Sequence, residues 1–162
     1  MKSILPLTLA AAWLAGCATA PPLTLTPTLT LWDAAELGRV EVIRQHLDAG
    51  TDVNARGGIT GLTALHQASF HGREEIAALL IEAGANVNAA SRRGETPLHS
   101  TVYWEHRMIA QLLLANGAAL DAKLENGQTP LDWAEQLGAS SMTDLFRSHG
   151  ANGGNSRGGQ AD

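Results

Sequence analysis

The chain has 162 residues, which fits one domain of ordinary size; 44% are hydrophobic but only 4% aromatic, so a core must come mainly from Leu, Ala, Val and Ile. A formal net charge of −5 excludes a nucleic-acid binder on grounds of charge. The single cysteine, Cys17, excludes an intramolecular disulfide and any zinc site resting on thiolates.

Met1-Lys2-Ser3 supplies a basic start, and Ile4 to Leu14 is an apolar run containing Pro6. The run is shorter than the ~20 residues needed to span a bilayer and has the shape of a secretory signal. Leu14-Ala15-Gly16-Cys17 follows. This stretch resembles the bacterial lipobox, which implies cleavage before Cys17 and a lipid on its thiol, firm only with several acyl chains. The competing reading is ordinary cleavage after Ala18-Thr19-Ala20, which Pro21 disfavours. Ala18 stands where an inner-membrane retention signal carries Asp, which implies the outer membrane in a Gram-negative host. Beyond residue 16 the chain holds ten basic and sixteen acidic residues, a net charge of −6. Residues 18–28 contain three prolines and no charge and are expected to form an extended tether. The expected organisation is a signal at 1–16, lipidated Cys17 and tether at 17–28, a folded domain at 29–152 and a disordered glycine-rich tail at 153–162.

Within 29–152 a period of 33 governs the sequence. Thr63-Ala64-Leu65-His66 returns as Thr96-Pro97-Leu98-His99 and as Thr129-Pro130-Leu131-Asp132. Gly50-Thr51-Asp52-Val53-Asn54-Ala55 returns from Gly84, from Gly117 and, as Gly-Ala-Asn, from Gly150. Gly38, Gly72, Glu105 and Gly138 keep the same register. The repeats run at about 29–62, 63–95, 96–128 and 129–152. Thr63 predicts an N-cap for a helix over 64–71, and Pro97 and Pro130 suit the first helical position. Gly72 and Gly138 permit a turn into a second helix. That helix carries Ile76, Leu79 and Leu80 in one repeat and Ile109, Leu112 and Leu113 in the next, at i, i+3, i+4 spacing. Gly84 and Gly117 stop it, and an extended loop leads to the next threonine.

These motifs and this period resemble the ankyrin-repeat family. The resemblance implies a helical solenoid of stacked helix-turn-helix repeats with short β-hairpin fingers, a module that binds proteins through a concave groove. It also implies that His66 and His99 bond neighbouring backbone and tie repeats together. The first repeat lacks the Thr-Pro-Leu-His start and reads Leu31-Trp32-Asp33-Ala34-Ala35. Gly57-Gly58-Ile59-Thr60-Gly61 makes the first finger one residue longer and looser. Glu105 at a turn position held elsewhere by glycine implies strain. His46, at a position held by leucine in the middle repeats, is expected on a solvated face, and His71, His106 and His149 at the surface.

No catalytic set is expected. Asp132 and Glu135 share a helix face, but Asp132 replaces the motif histidine as a local hydrogen-bond partner, and no nucleophile–base order or phosphate loop is present. Repeats stack ~8–10 Å apart, so His66 and His99 cannot share one metal ion, and neither metal nor cofactor is expected. The informative residues occupy positions the family leaves variable, at finger tips and the ends of first helices. They are Phe70 and His71, Tyr103 and Trp104, Arg92, Arg93 and Glu95 on one finger, and Glu125, Asn126 and Gln128 on the next. Glu36, Leu37, Gln136 and Leu137 hold the same helix positions in the end repeats. Three of the six aromatic residues beyond the signal fall at such positions beside two arginines, the residue types that dominate binding hot spots. The competing reading of Tyr103 and Trp104 is packing compensation at the Glu105 turn. Trp32, Trp133 and Phe146 are expected in the core or at end caps.

The expected function is therefore an envelope-anchored module docking a protein partner, as a monomer, with an inhibitory or protective role toward an exported enzyme as one concrete version. A scaffold binding through its convex face and an enzyme or small-ligand site are the alternatives.

Overall fold

The computed structural model describes residues 29–151. The signal at 1–16, Cys17 with its tether, and the tail at 153–162 lie outside the described residues. The chain forms four helix pairs. They are α1 (Leu31–Leu37) with α2 (Val40–Asp48), α3 (Ala64–Phe70) with α4 (Glu74–Glu82), α5 (Pro97–Ser100) with α6 (Arg107–Ala115), and α7 (Pro130–Leu137) with α8 (Ser140–Ser148). The first helices pack in a row, α1 on α3 on α5 on α7, and the second helices in another, α2 on α4 on α6 on α8. This is the two-layer helical solenoid that the period predicts. No described helix is long and apolar enough to cross a membrane.

The core fills the space between the rows. Ile76 and Leu80 from α4, and Ile109 and Leu113 from α6, are buried against Leu65 and Leu98 of the inner row. Alanines at 34, 68, 77, 110 and 134 are fully covered, which lets the helices approach closely. Met142, Leu145 and Phe146 of α8 close the carboxy-terminal end of the same core.

A reciprocal cap starts each first helix. The Thr63 and Thr96 backbone N–H groups donate to Nδ1 of His66 and His99, at 3.1 and 3.3 Å. In α7 the Thr129 N–H donates to the Asp132 carboxylate at 2.9 Å, and the Asp132 N–H returns a bond to the Thr129 hydroxyl at 3.2 Å. The first repeat uses the same device, Asp33 N–H to Thr30 Oγ1 at 3.1 Å and Thr30 Oγ1 to Asp33 Oδ2 at 2.7 Å. Its start is thus a variant of the motif, Thr30-Leu31-Trp32-Asp33, and the 33-residue step from Thr30 to Thr63 carried that signal. Aspartate closes a cap as histidine does.

Asparagine side chains join the repeats on the outer side. Asn54 Oδ1 accepts from the Asn86 N–H at 2.7 Å, and Asn54 Nδ2 donates to the Gly84 carbonyl at 3.3 Å. Asn88 does the same toward Ala119 (2.8 Å) and Gly117 (3.0 Å). These bonds occupy carbonyls and N–H groups that the ends of α4 and α6 leave unpaired.

Three expectations are corrected. The first finger is not looser: among the described residues it alone pairs as strands, β1 (Arg56–Gly57) antiparallel to β2 (Leu62–Thr63) with Arg56 opposite Thr63. Positive φ at Gly58 and Gly61 makes the reversal possible, and Gly57 lets the strand lie on Trp32, since a Cβ there would stand 2.7 Å from the indole. His46 is half-buried rather than solvated: Nε2 donates to the Leu29 carbonyl at 2.8 Å, and Nδ1 lies 3.1 Å from the Thr51 hydroxyl. His106 is an inter-repeat strut rather than a surface residue. Its Nε2 donates to the Phe70 carbonyl at 3.1 Å while its ring covers Gly72, where a Cβ would come within 2.5 Å.

The third repeat departs most from its neighbours. Regular helix stops at Ser100, and residues 101–105 form a tightened turn, with Val102 N–H bonded to the His99 carbonyl at 3.0 Å. The Thr101 hydroxyl donates to the Leu98 carbonyl at 2.7 Å, one of the local bonds by which such residues compete with the helix ladder. Glu105 sits at φ 52° where its counterparts Gly38, Gly72 and Gly138 take φ near 70°, a strain of about 1 kcal/mol for a residue with a Cβ.

Candidate functional site

The inner row of helices and the fingers line a concave groove, and the unusual third repeat sits in its middle. The tightened turn carries Tyr103 and Trp104 outward, so both are exposed. They are therefore turn residues and not the end of a regular helix, as the repeat register had suggested. Four of the six exposed large apolar residues, Leu37, Tyr103, Trp104 and Leu137, fall at the same two repeat positions. Exposed apolar residues thus mark the groove's lip in the first, third and fourth helix pairs, with half-buried Phe70 at the same level in the second, the type of patch that marks an interaction surface.

The aromatic side chains meet across repeats. Phe70 packs edge-on against His71 (5.0 Å between ring centres), Tyr103 (5.3 Å) and Trp104 (6.4 Å). Tyr103 continues to Trp133 at 4.9 Å, and Trp133 covers His99 at 5.8 Å. Edge-to-face contacts of this kind hold rings rigidly. Trp133, expected in the core or an end cap, is half-buried: it packs against the core and also borders the groove. The signal was its register, since it follows the motif where Gln67 and Ser100 do, a position facing the groove. Trp32 is half-buried at the amino-terminal end against Gly57, and Phe146 is core as expected.

Glu95 lies on the groove's floor and is fixed on every side. His66 accepts the Thr63 N–H at Nδ1, so its ring proton is on Nε2, which donates to the Glu95 carbonyl at 2.9 Å. The Ser91 N–H reaches the same carbonyl at 2.7 Å, and the Glu95 N–H bonds Ser91 Oγ at 3.1 Å. The Ser100 hydroxyl donates to Glu95 Oε1 at 2.8 Å. Burial pushes the Glu95 carboxyl above its usual range, with the Ser100 bond and Arg93 partly opposing. Burial likewise lowers His66 and His99 to about 4, each partly offset by the backbone carbonyl it faces, Glu95 and Gln128 respectively.

The fingers are stitched edge to edge. Arg92 N–H donates to the Thr60 carbonyl and Glu125 N–H to the Arg93 carbonyl, both at 3.0 Å. Arg92 and Arg93 are thus exposed guanidiniums on a rigid loop. Arg93, Glu95, Tyr103, Glu125, Asn126 and Trp133 border a depression of about 220 Å³. A second of about 200 Å³ lies on the other side of Tyr103, among Phe70, His71, Gln67, Ser100 and Glu95. Each is the size of one or two side chains. Gln128 is taken up by bonds to Asn126 and Gln136 and borders neither depression. A wider hollow of about 620 Å³ sits away from this groove, around Trp32 and His46 at the amino-terminal end of the described stack. Among the described residues no group of three His, Cys, Asp or Glu could hold a metal ion.

A family model described as ankyrin repeats, in three copies, matches residues 31–124. The chain is 37% identical over 71 residues to an ankyrin repeat-containing protein of Schizosaccharomyces pombe, covering 44% of this chain and 34% of that protein. It is 35% identical over 63 residues to ankyrin repeat and SAM domain-containing protein 6 of Rattus norvegicus, covering 39% of this chain and 7% of that protein. These matches span about a third or less of the relatives' own lengths.

Proposed function

Since the chain belongs to the ankyrin-repeat family, whose repeats generally mediate protein–protein interaction, we propose that it docks a protein partner in the groove centred on Phe70, Tyr103, Trp104 and Trp133, with Arg92 and Arg93 on the rim. The carrying observation is the exposed ring cluster on a rigid turn. Tyr103 and Trp104 are 43% and 66% exposed, too open to be packing compensation for the Glu105 turn. Rigid aromatics lose little freedom on binding, and arginine beside them adds directional bonds. The fourth helix pair, beyond the matched residues, is a fourth repeat in this reading, supported by its Thr129–Asp132 cap and Trp133.

The finer version places the module in a bacterial envelope, held by lipid on Cys17, as a monomer that restrains or neutralises an exported enzyme. The Leu14-Ala15-Gly16-Cys17 stretch supports the anchor. The role rests on the groove's suitability for covering a partner. The test is capture from an envelope extract by the purified chain, with the partner identified by mass. Changing Phe70, Tyr103 and Trp104 together to Ala is expected to weaken its binding at least about a hundredfold, since hot-spot residues cost ~2 kcal/mol or more each. Unchanged affinity removes the groove from the reading and favours the convex face.

A further inference from the structure

The groove's floor holds a carboxylate that forms no ion pair among the described residues. Glu95 is half-buried, and its backbone is pinned by His66 and Ser91, so the side chain cannot swing into solvent by moving the loop. Its Oε1 accepts only a neutral hydroxyl, Ser100 at 2.8 Å. Arg56 gives its guanidinium to the Gly61 and Ala90 carbonyls. Arg93 borders, together with Glu95, the depression on the far side of Tyr103 and favours the Glu95 carboxylate from there, but neither arginine forms an ion pair with Glu95 among the described residues.

Glu95 opens onto the depression whose walls are Phe70 and Tyr103, their ring centres 5.3 Å apart at 63°. Gln67 and Ser100 add polar atoms at the base, and no basic side chain other than the imidazoles of His66 and His71 lines it. Aromatic walls attract a cation through their quadrupoles, most strongly where water is excluded. A carboxylate at the base, already short of solvation, gains most from an incoming positive charge. Volume agrees: about 200 Å³ admits one extended side chain.

We propose that this depression is a subsite for one basic side chain of the docked partner, lysine or arginine, its cation resting against Phe70 and Tyr103 and paired with the Glu95 carboxylate. The proposal rests on the docking reading above and specifies its chemistry. On the other side of Tyr103, Arg93 faces the same partner with the opposite sign, so the groove fixes register by a plus-and-minus pair about one aromatic post.

The test is an NMR titration of the full chain with Nα-acetyl-lysine methylamide and Nα-acetyl-arginine methylamide, against neutral Nα-acetyl-norleucine methylamide. Dissociation constants on the order of millimolar are expected for at least one cation, with shifts centred on Phe70, Glu95, Ser100 and Tyr103. The norleucine compound should bind about tenfold more weakly or not at all. Glu95→Gln keeps an acceptor for Ser100, so the fold is retained, and should weaken the cation about tenfold. Equal binding of norleucine, an unchanged affinity in Glu95→Gln, or no shifts from either cation would each overturn the subsite. Partner capture lost in the triple alanine variant would still stand in those cases, which separates failure of the subsite from failure of the docking reading.

Discussion

Acidification from pH 8 to pH 5 is expected to remove about 4 kcal/mol of folding stability, about 2 from each of His66 and His99. Both imidazoles are buried and neutral in the fold, with folded values lowered to about 4 from 6.5. The unfolded chain therefore takes up protons first. Stability is fully present above 6.5, is lost as pH falls through the interval, and stops falling below about 4. Protonation would also end the cap, because Nδ1 of each ring accepts a backbone N–H. Glu95 acts in the opposite sense: raised by burial, it is easier to keep in the fold once protonated, so it returns part of the loss. Urea midpoints at the two pH values measure the difference. A midpoint that does not move would mean that the two histidines are solvated or already charged in the fold. For a domain whose total stability is of order 5–15 kcal/mol, a loss of this size is a large fraction.

Leu98→Ala is expected to cost about 3 kcal/mol. Leu98 is fully buried in α5, the short helix that packs on α3, α6 and α7 and so carries the contact between the two halves of the stack. A stacked array has only nearest-neighbour interfaces, and a cavity in a middle repeat weakens both of its own. Urea unfolding should show a lower midpoint together with a shallower slope, as the halves begin to melt separately. A loss below about 1 kcal/mol with unchanged slope would mean that the third repeat collapses around the missing atoms and is not the stack's critical joint.

Most of the solenoid was legible because its rules are local and repeat. Thr63, Thr96 and Thr129 mark helix starts, Gly84 and Gly117 mark helix ends, and the apolar spacing in α4 and α6 fixes which face is covered. What was not legible depends on side chains reaching between repeats. His106 looks like a loop histidine until Gly72 leaves it room to cap the neighbouring backbone. Asn54 and Asn88 stand out only as members of a recurring motif, yet each clamps the next repeat. Trp133 packs on the core as its size suggests, and its register also brings it to the groove. The first-repeat cap was missed because Asp33 stands where histidine does elsewhere, although the chemistry of the cap is preserved.

Of the residues predicted for binding, Phe70, His71, Tyr103 and Trp104 come together as one cluster, and Arg93, Glu95, Glu125 and Asn126 border the adjoining depression. Arg92 lies at the rim beside Gly61, and Gln128 is held by neighbouring amides. The sequence pattern could place these residues at groove positions. It could not say that Glu95 would be pinned by the motif histidine at the start of its own repeat, because that bond joins residues 29 apart.

The central claim is that a partner lies in the concave groove. Hydrogen exchange of the full chain, alone and with its captured partner, tests it most directly. Protection is expected in segments 91–95, 101–106 and 124–128, with the outer helices α2, α4, α6 and α8 unchanged. Protection confined to the outer helices, with the groove segments exchanging as in the free chain, would contradict the account.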